Sequence, residues 1–144
     1  MPSRAFWFIS ASGLVPLIVC LVLAWRLPAL REAAVHTFLV YMALTLAFLG
    51  GTRWGAELAR APAHPDLVRL GLSAAPTVIG LVALLPQLPT RIALVCLVVA
   101  GLGQLTWDIA GSRDGLLPPW NAWVRLVLTM AATLCALALW PVMP

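Results

Sequence analysis

The sequence contains no lysine and little charge of either sign. Charged residues make up 10% of the 144 residues, and all nine cations are arginine. Soluble domains carry about 25% charged residues, so this composition excludes a disordered chain and an ordinary water-soluble enzyme. The three cysteines form no CxxC pair and no Cys/His cluster at ligand spacing. We therefore predict neither a disulfide scaffold nor a metal site.

Long apolar runs make up most of the chain. Hydrophobic residues account for 62% of it, with a mean hydropathy of +1.00. A helix that crosses a bilayer needs about 20 mostly apolar residues, and five such runs fit here with only short connections. We predict one domain over residues 1–144, an all-α membrane protein built as a bundle of five transmembrane helices. The predicted spans are roughly residues 5–25, 35–56, 68–85, 92–110 and 120–140, and Pro16 should kink the first.

The arginines predict how the bundle is oriented. We call the side with the N-terminus side A and the opposite side B. Side A is predicted to hold Arg4, Arg53, Arg60, Arg69, Arg113 and Arg125, and side B Arg26, Arg31 and Arg91. Cytoplasmic loops carry an excess of arginine and lysine, so the N-terminus should be cytoplasmic and the C-terminus periplasmic. Because the arginines are scattered between apolar runs, we predict no nucleic-acid partner.

Four charged residues are predicted at similar depth near side A. Arg53 and Glu57 are four residues apart, hence one helical turn apart on the same face. Asp108 ends the fourth helix, and Arg125 lies about 7.5 Å into the fifth. We predict that these four residues form one polar network. The surrounding aromatic residues are Trp54, Trp107, Trp120 and Trp123.

Two interpretations of this network remain open. In the first, the network holds the helices in register, or its arginines reach lipid phosphates. In the second, it binds an anionic head group or a polar cofactor tail. No HExxH or GxSxG motif is present, and His36 and His64 fall on opposite sides, where they cannot share one haem. We therefore predict no catalytic residue and no resident cofactor. The second interpretation admits a bound lipid or quinone.

A glycine pair in the second span predicts close helix packing. Gly51 and Gly55 are four residues apart, and such small residues let another membrane helix approach closely. We predict that this pair forms a helix-packing face.

Several short motifs resemble those of a known family. Phe48–Gly55 (FLGGTRWG), Ser73–Pro76 (SAAP), Trp107-Asp108 and Leu117–Trp120 (LPPW) followed by Arg125 are similar to landmarks of the uncharacterised membrane family called domain of unknown function 3429, the transmembrane protein 69-like family. The resemblance covers the second to fifth spans. It implies a small multi-helix protein of the bacterial cytoplasmic (inner) membrane, or of the mitochondrial inner membrane if the source is eukaryotic. It implies no activity.

These observations favour three functions in order. The first is a non-enzymatic accessory or assembly subunit that packs against a larger respiratory or photosynthetic membrane complex, with lipids and other membrane-protein subunits as partners. The alternative is a binder of a small amphipathic ligand, such as a quinone, a tetrapyrrole or a lipid, at the tryptophan-lined polar network on the cytoplasmic side. A small transporter comes third, because transport usually needs charges or unwound helices near the midplane.

Overall fold

The protein is all-helical over the residues described by its computed structural model, which are 4–60, 64 and 66–143, with side chains from residue 6 onward. No β-strand occurs among them. The helices are α1 (Arg4–Ser12), α2 (Val15–Arg26), α3 (Arg31–Arg60), α4 (Leu67–Ala83), α5 (Thr90–Arg113) and α6 (Pro119–Leu139), with 3₁₀ turns at Pro28–Leu30 and Trp140–Val142.

Four helical segments are long and apolar enough to cross a membrane. They are Phe6–Arg26, Pro28–Arg60, Thr90–Arg113 and Pro119–Val142. The fifth segment, α4, has 17 residues, or about 25 Å of helix against a hydrocarbon thickness of about 30 Å. The all-α membrane class predicted from composition is confirmed, and α4 is the shortest of the five segments.

The first span is broken where its sequence weakens the helix. α1 ends at Ser12 and α2 begins at Val15, so the break precedes Pro16. Proline has no N–H to donate to the carbonyl four residues back, and its ring crowds that carbonyl. Tyr41 of α3 ties the break to the bundle, because its hydroxyl donates a 2.8 Å hydrogen bond to the carbonyl oxygen of Gly13.

The apolar core lies in the B-side half of the bundle, around α3. Phe38 and Leu97 are fully buried there, with residues of all five segments packed about them. These include Leu17, Cys20 and Ala24 of α2, Ala83 of α4, and Ala136 and Leu139 of α6. Because α3 packs against α2, α4 and α5, it is the central helix.

Glycines allow α4 to pack closely against α3. A Cβ added at Gly50 would lie 2.5 Å from the carbonyl oxygen of Ser73, and one added at Gly80 would lie 3.2 Å from that of Ala43. Asp66 caps the start of α4 by accepting hydrogen bonds from two backbone N–H groups. α4 is thus held against α3 along most of its length.

Side B is closed by contacts to the C-terminal segment. Arg91 donates a 3.2 Å hydrogen bond to the carbonyl oxygen of Met143, and its guanidinium lies 5.4 Å from the ring centroid of Trp140. The indole N–H of Trp25 donates to the carbonyl oxygen of Ala138. Which side faces the cytoplasm stays a prediction, and the Arg4 side chain that it counts lies outside the described residues.

Candidate functional site

Charged side chains are buried in the A-side half of the bundle. Arg53 is 2% exposed, Glu57 5% and Asp108 2%. A charge in an apolar environment is costly unless it is paired and hydrogen-bonded. The contacts of these three side chains therefore define a polar cluster in an otherwise apolar molecule.

Arg53 joins α3 to α5. Its Nη2 lies 3.2 Å from Oε1 of Glu57, one turn further along α3. Its Nη1 donates a 3.1 Å hydrogen bond to the carbonyl oxygen of Trp107, and its Cζ lies 5.1 Å from the Trp107 ring centroid. A carboxylate, a carbonyl and an aromatic ring thus compensate one buried guanidinium.

Asp108 joins α5 to α6. Its Oδ2 lies 3.2 Å from Nε of Arg125, and its Oδ1 accepts a 3.1 Å hydrogen bond from Gln104 Nε2. Arg125 Nη2 in turn donates a 3.3 Å hydrogen bond to Thr52 Oγ1 on α3. Arg125 lies six residues into α6, about 9 Å along its axis, and its side chain is 15% exposed.

The two ion pairs form one cluster that spans four helices. Arg69 of α4 lies 3.8 Å from the Glu57 carboxylate and 3.4 Å from the exposed carboxylate of Asp66. Arg125 contacts Thr52 and Asp108. The next residue after Thr52 is Arg53, and Arg53 contacts Trp107, the residue before Asp108. The two sets of contacts therefore lie at the same level of the bundle. The structure thus brings together Arg53, Glu57, Asp108 and Arg125. In the sequence, these four residues are grouped by their predicted depth in the membrane.

Of the four predicted tryptophans, one packs on the cluster, one lines a lateral cavity that adjoins the cluster, and two lie on the outer surface. Trp107 packs on Arg53, and Trp120 lines the cavity. Trp54 and Trp123, by contrast, are 41% and 62% exposed and do not line it. Their position is typical of tryptophans anchored at the membrane interface.

Gly51 and Gly55, the predicted helix-packing pair, do not contact another helix of the described chain. A Cβ added at either residue would have no neighbour within 4 Å, so neither glycine packs a helix in the described chain. The glycine that contacts α4 is Gly50, one residue and about 100° away around the helix. Gly50 and Gly51 are adjacent in the sequence, and the four-residue spacing to Gly55 pointed to Gly51, which faces outward.

Sequence reasoning missed several residues of the cluster, including Arg69 and Gln104, which contact Glu57 and Asp108, respectively. Gly111 packs against the Arg53 guanidinium, where a Cβ would overlap Nη1. Thr52 accepts the hydrogen bond from Arg125. A signal for Gly111 exists, since Gln104, Asp108 and Gly111 recur at intervals of four and three residues and so share one face of α5.

A lateral cavity of about 710 Å³ runs from the cluster toward the middle of the bundle. α1, α2, α3, α5 and α6 line it, and α3 and α6 pack little against each other across it. Its A-side end contains Thr52, Arg53, Asp108, Trp120, Asn121 and Arg125. Its walls are mostly apolar further in, including Leu17, Met42, Leu46, Leu97, Val98 and Leu128. The cavity therefore has one polar end and a long apolar body.

Two nitrogen donors among the residues that line this cavity have no protein acceptor. Within the described part of the chain, Arg53 Nε and Asn121 Nδ2 are buried and lack a hydrogen-bond partner. A buried donor without an acceptor costs about 1–3 kcal/mol. Two buried carboxylate oxygens, Glu57 Oε1 and Asp108 Oδ2, also lack a hydrogen bond within the described residues, but each lies 3.2 Å from an arginine nitrogen in an ion pair. In the described chain, the cavity-lining groups left without a partner are therefore the two donors.

The fold and the cluster define a small all-α membrane protein with a buried ionic cluster beside a lateral cavity. The family model described as "Protein of unknown function (DUF3429)" matches residues 2–141, and the chain belongs to this family. It is 32% identical over 130 residues to Transmembrane protein 69 of Xenopus tropicalis, covering 87% of this chain and 49% of that protein. Identity to Transmembrane protein 69 of Mus musculus is also 32%, over 87% of this chain and 51% of the relative. The chain thus spans about half the length of these curated relatives, and no solved structure matches it.

Proposed function

We propose that this protein binds an amphipathic small molecule from the membrane, with the apolar part in the lateral cavity and the polar head at the Arg53–Asp108–Arg125 end. The observation that carries the proposal is the cavity itself. Its volume of about 710 Å³ lies within the range of about 300–1,000 Å³ that is usual for ligand sites. Its apolar walls end at convergent polar groups, as such sites do.

The position of the cavity favours a ligand that enters from the lipid. Phe48 and Leu44 of α3 line the cavity and are 69% and 62% exposed, so the opening is apolar. A molecule with a hydrocarbon tail loses little solvation on passing from the bilayer to such walls. Its head would remain at the A-side interface, near the level of Trp120.

The cluster supports binding more than catalysis. Both oxygens of Asp108 already have partners, Gln104 and Arg125. Glu57 Oε1 lies between the guanidinium groups of Arg53 and Arg69. A general base needs a carboxylate or imidazole within reach of the substrate, and these carboxylates are held in ion pairs instead.

An accessory subunit is the second candidate, and one observation favours it. Gly51 and Gly55 form an open small-residue face on α3, because a Cβ at either would meet no atom within 4 Å. Small residues at such a spacing permit close approach of another membrane helix. Recovery of a defined complex in mild detergent, lost in a Gly51→Leu, Gly55→Leu variant, would support this second role.

Filling the cavity tests the ligand proposal directly. Gly101 lines the cavity, and a Cβ added there would meet no atom within 4 Å. Gly101→Phe should therefore occupy the ligand volume without a backbone clash. Gly103→Phe is the matched control, because Gly103 is exposed on the same helix, is equally free of contacts and does not line the cavity.

The measurement is mass spectrometry of amphiphiles retained when each variant is purified from native membranes. The unaltered protein and Gly103→Phe should retain a stoichiometric ligand, and Gly101→Phe should lose it. Equal retention by the two variants, or none by the unaltered protein, would contradict the proposal.

A further inference from the structure

We infer that the ligand head group is an anionic oxyacid, a phosphate or a carboxylate carried on an apolar tail, and that Arg125 contacts it. This inference rests on the proposed binding function and specifies its chemistry. It starts from the hydrogen-bonding capacity left unused at the polar end of the cavity.

Two cavity-lining donors of the described chain lack a partner at that end, whereas the one cavity-lining acceptor without a hydrogen bond, Asp108 Oδ2, is held in the ion pair with Arg125. Arg125 uses Nε for Asp108 and Nη2 for Thr52, so its Nη1 can serve an additional acceptor. Arg53 Nε and Asn121 Nδ2 are buried without an acceptor in the described chain. An ammonium head group would add donors where two donors already lack an acceptor, whereas an oxyacid supplies oxygen acceptors.

The formal charge at the polar end of the cavity also favours an anionic head group. Among the described residues, the charged side chains that line the cavity are two arginines and one carboxylate, namely Arg53, Arg125 and Asp108. This lining has a formal charge of +1 before a ligand binds, and Glu57, Arg69 and Asp66 lie outside it. One negative charge on the head group would neutralise it, which matters where the surroundings are apolar.

The start of α6 adds a third argument. Trp120 and Asn121 of its first turn line the cavity. That turn has no acidic residue, and the N-cap position, Pro118, makes no side-chain cap. The positive end of the helix dipole favours an anion nearby. The arginines and the start of α6 thus both favour an anion at the A-side end of the cavity.

The test varies the head group while the chains stay constant. Native mass spectrometry in a neutral detergent would measure binding of phosphatidic acid, phosphatidylcholine and diacylglycerol with identical chains. Oleate adds the carboxylate arm, and inorganic phosphate alone separates a lipid head group from a free anion. We expect phosphatidic acid and oleate to bind about tenfold or more tightly than diacylglycerol, the effect of one charge-assisted hydrogen bond.

A double variant isolates the contribution of Arg125. Arg125→Gln alone would leave the Asp108 carboxylate buried without its cation, which endangers folding. Asp108→Asn with Arg125→Gln removes one charge of each sign, so the net charge of the protein stays constant. Arg113→Gln is the control, because Arg113 is exposed at the end of α5 and its loss lowers the net charge by one.

The outcomes separate this inference from the proposed function. Loss of the anionic preference in the double variant, with the preference kept in Arg113→Gln, supports the inference. Equal binding of phosphatidic acid and diacylglycerol to the unaltered protein, with both lost in Gly101→Phe, overturns the inference and leaves the binding function standing. Saturation by inorganic phosphate without any gain from an apolar tail also overturns it. If Gly101→Phe reduces the binding of none of the lipids, both the inference and the proposed function are contradicted.

Discussion

Gly111 lies directly against the guanidinium of Arg53, so that residue 111 has no space for a side chain. A Cβ there would overlap Nη1 and lie 2.7 Å from Cζ. The buried guanidinium therefore depends on a glycine of the neighbouring helix as well as on Glu57. This contact provides a direct test of whether the ionic cluster holds α3 and α5 together.

We expect Gly111→Ala to destabilise the protein by about 1–3 kcal/mol, the usual cost of overpacking a filled site. Unfolding in SDS-containing mixed micelles, followed by circular dichroism, measures the change. Gly103→Ala is the control, because a Cβ there meets no atom within 4 Å. That variant should be neutral or more stable by about 0.5–1 kcal/mol, since alanine favours the helix. Equal effects of the two variants would show that Arg53 moves aside freely.

Glu57 provides the second prediction. Its side chain is 4% exposed and that of Arg53 is 2% exposed, so Glu57→Gln would leave a guanidinium buried with a carbonyl and an aromatic ring. We expect a loss of about 3–5 kcal/mol in the free energy of unfolding, as for other buried pairs that lose one partner. Chemical denaturation of the purified protein in detergent measures it.

The matched control for Glu57→Gln is Asp66→Asn. Asp66 also pairs with an arginine, but the side chains are 54% and 37% exposed. Asparagine keeps the capping oxygen of α4, so only an exposed ion pair is lost and the cost should stay within about 1 kcal/mol. A loss for Glu57→Gln as small as that of Asp66→Asn would mean that Arg53 finds compensation elsewhere.

The packing of α4 provides the third prediction. A Cβ at Gly50 would lie 2.5 Å from the carbonyl oxygen of Ser73, whereas one at Gly51 would meet nothing within 4 Å. Gly50→Ala should therefore separate α3 from α4 and cost about 1–3 kcal/mol, and Gly51→Ala should not. The apparent melting temperature in detergent compares the two. Greater damage from Gly51→Ala than from Gly50→Ala would contradict this prediction.

Helix positions could be predicted from the sequence because an apolar run of bilayer length has few alternatives. The fourth span was predicted at residues 92–110 and the helix is Thr90–Arg113. The second was predicted to stop at residue 56, but α3 continues to Arg60. The predicted span followed the apolar run only, whereas the helix continues beyond it through Glu57, whose charge is paired with Arg53.

Depth along a helix could be predicted, but the direction that each side chain faces could not. A rise of about 1.5 Å per residue placed Arg53, Asp108 and Arg125 at one level. In a soluble helix the apolar stripe then identifies the inner face, but a membrane helix is apolar toward lipid and toward its neighbours alike. The sequence therefore could not distinguish Gly50 from Gly51, or show that Trp123 faces outward.

Membrane orientation provides the fourth prediction, because the helices fix two sides without saying which is cytoplasmic. Among the described side chains, five arginines lie toward side A and three toward side B, and this excess predicts that side A faces the cytoplasm. In a variant whose three native cysteines are replaced, Gln87→Cys in the exposed turn before α5 should react with a membrane-impermeant maleimide in intact bacterial cells with a permeable outer envelope. Asp114→Cys, in the exposed turn after α5, should react only after the cytoplasmic membrane is permeabilised. Reaction at residue 114 alone in intact cells would invert the orientation, and equal reaction at both residues would show that α5 does not cross the membrane.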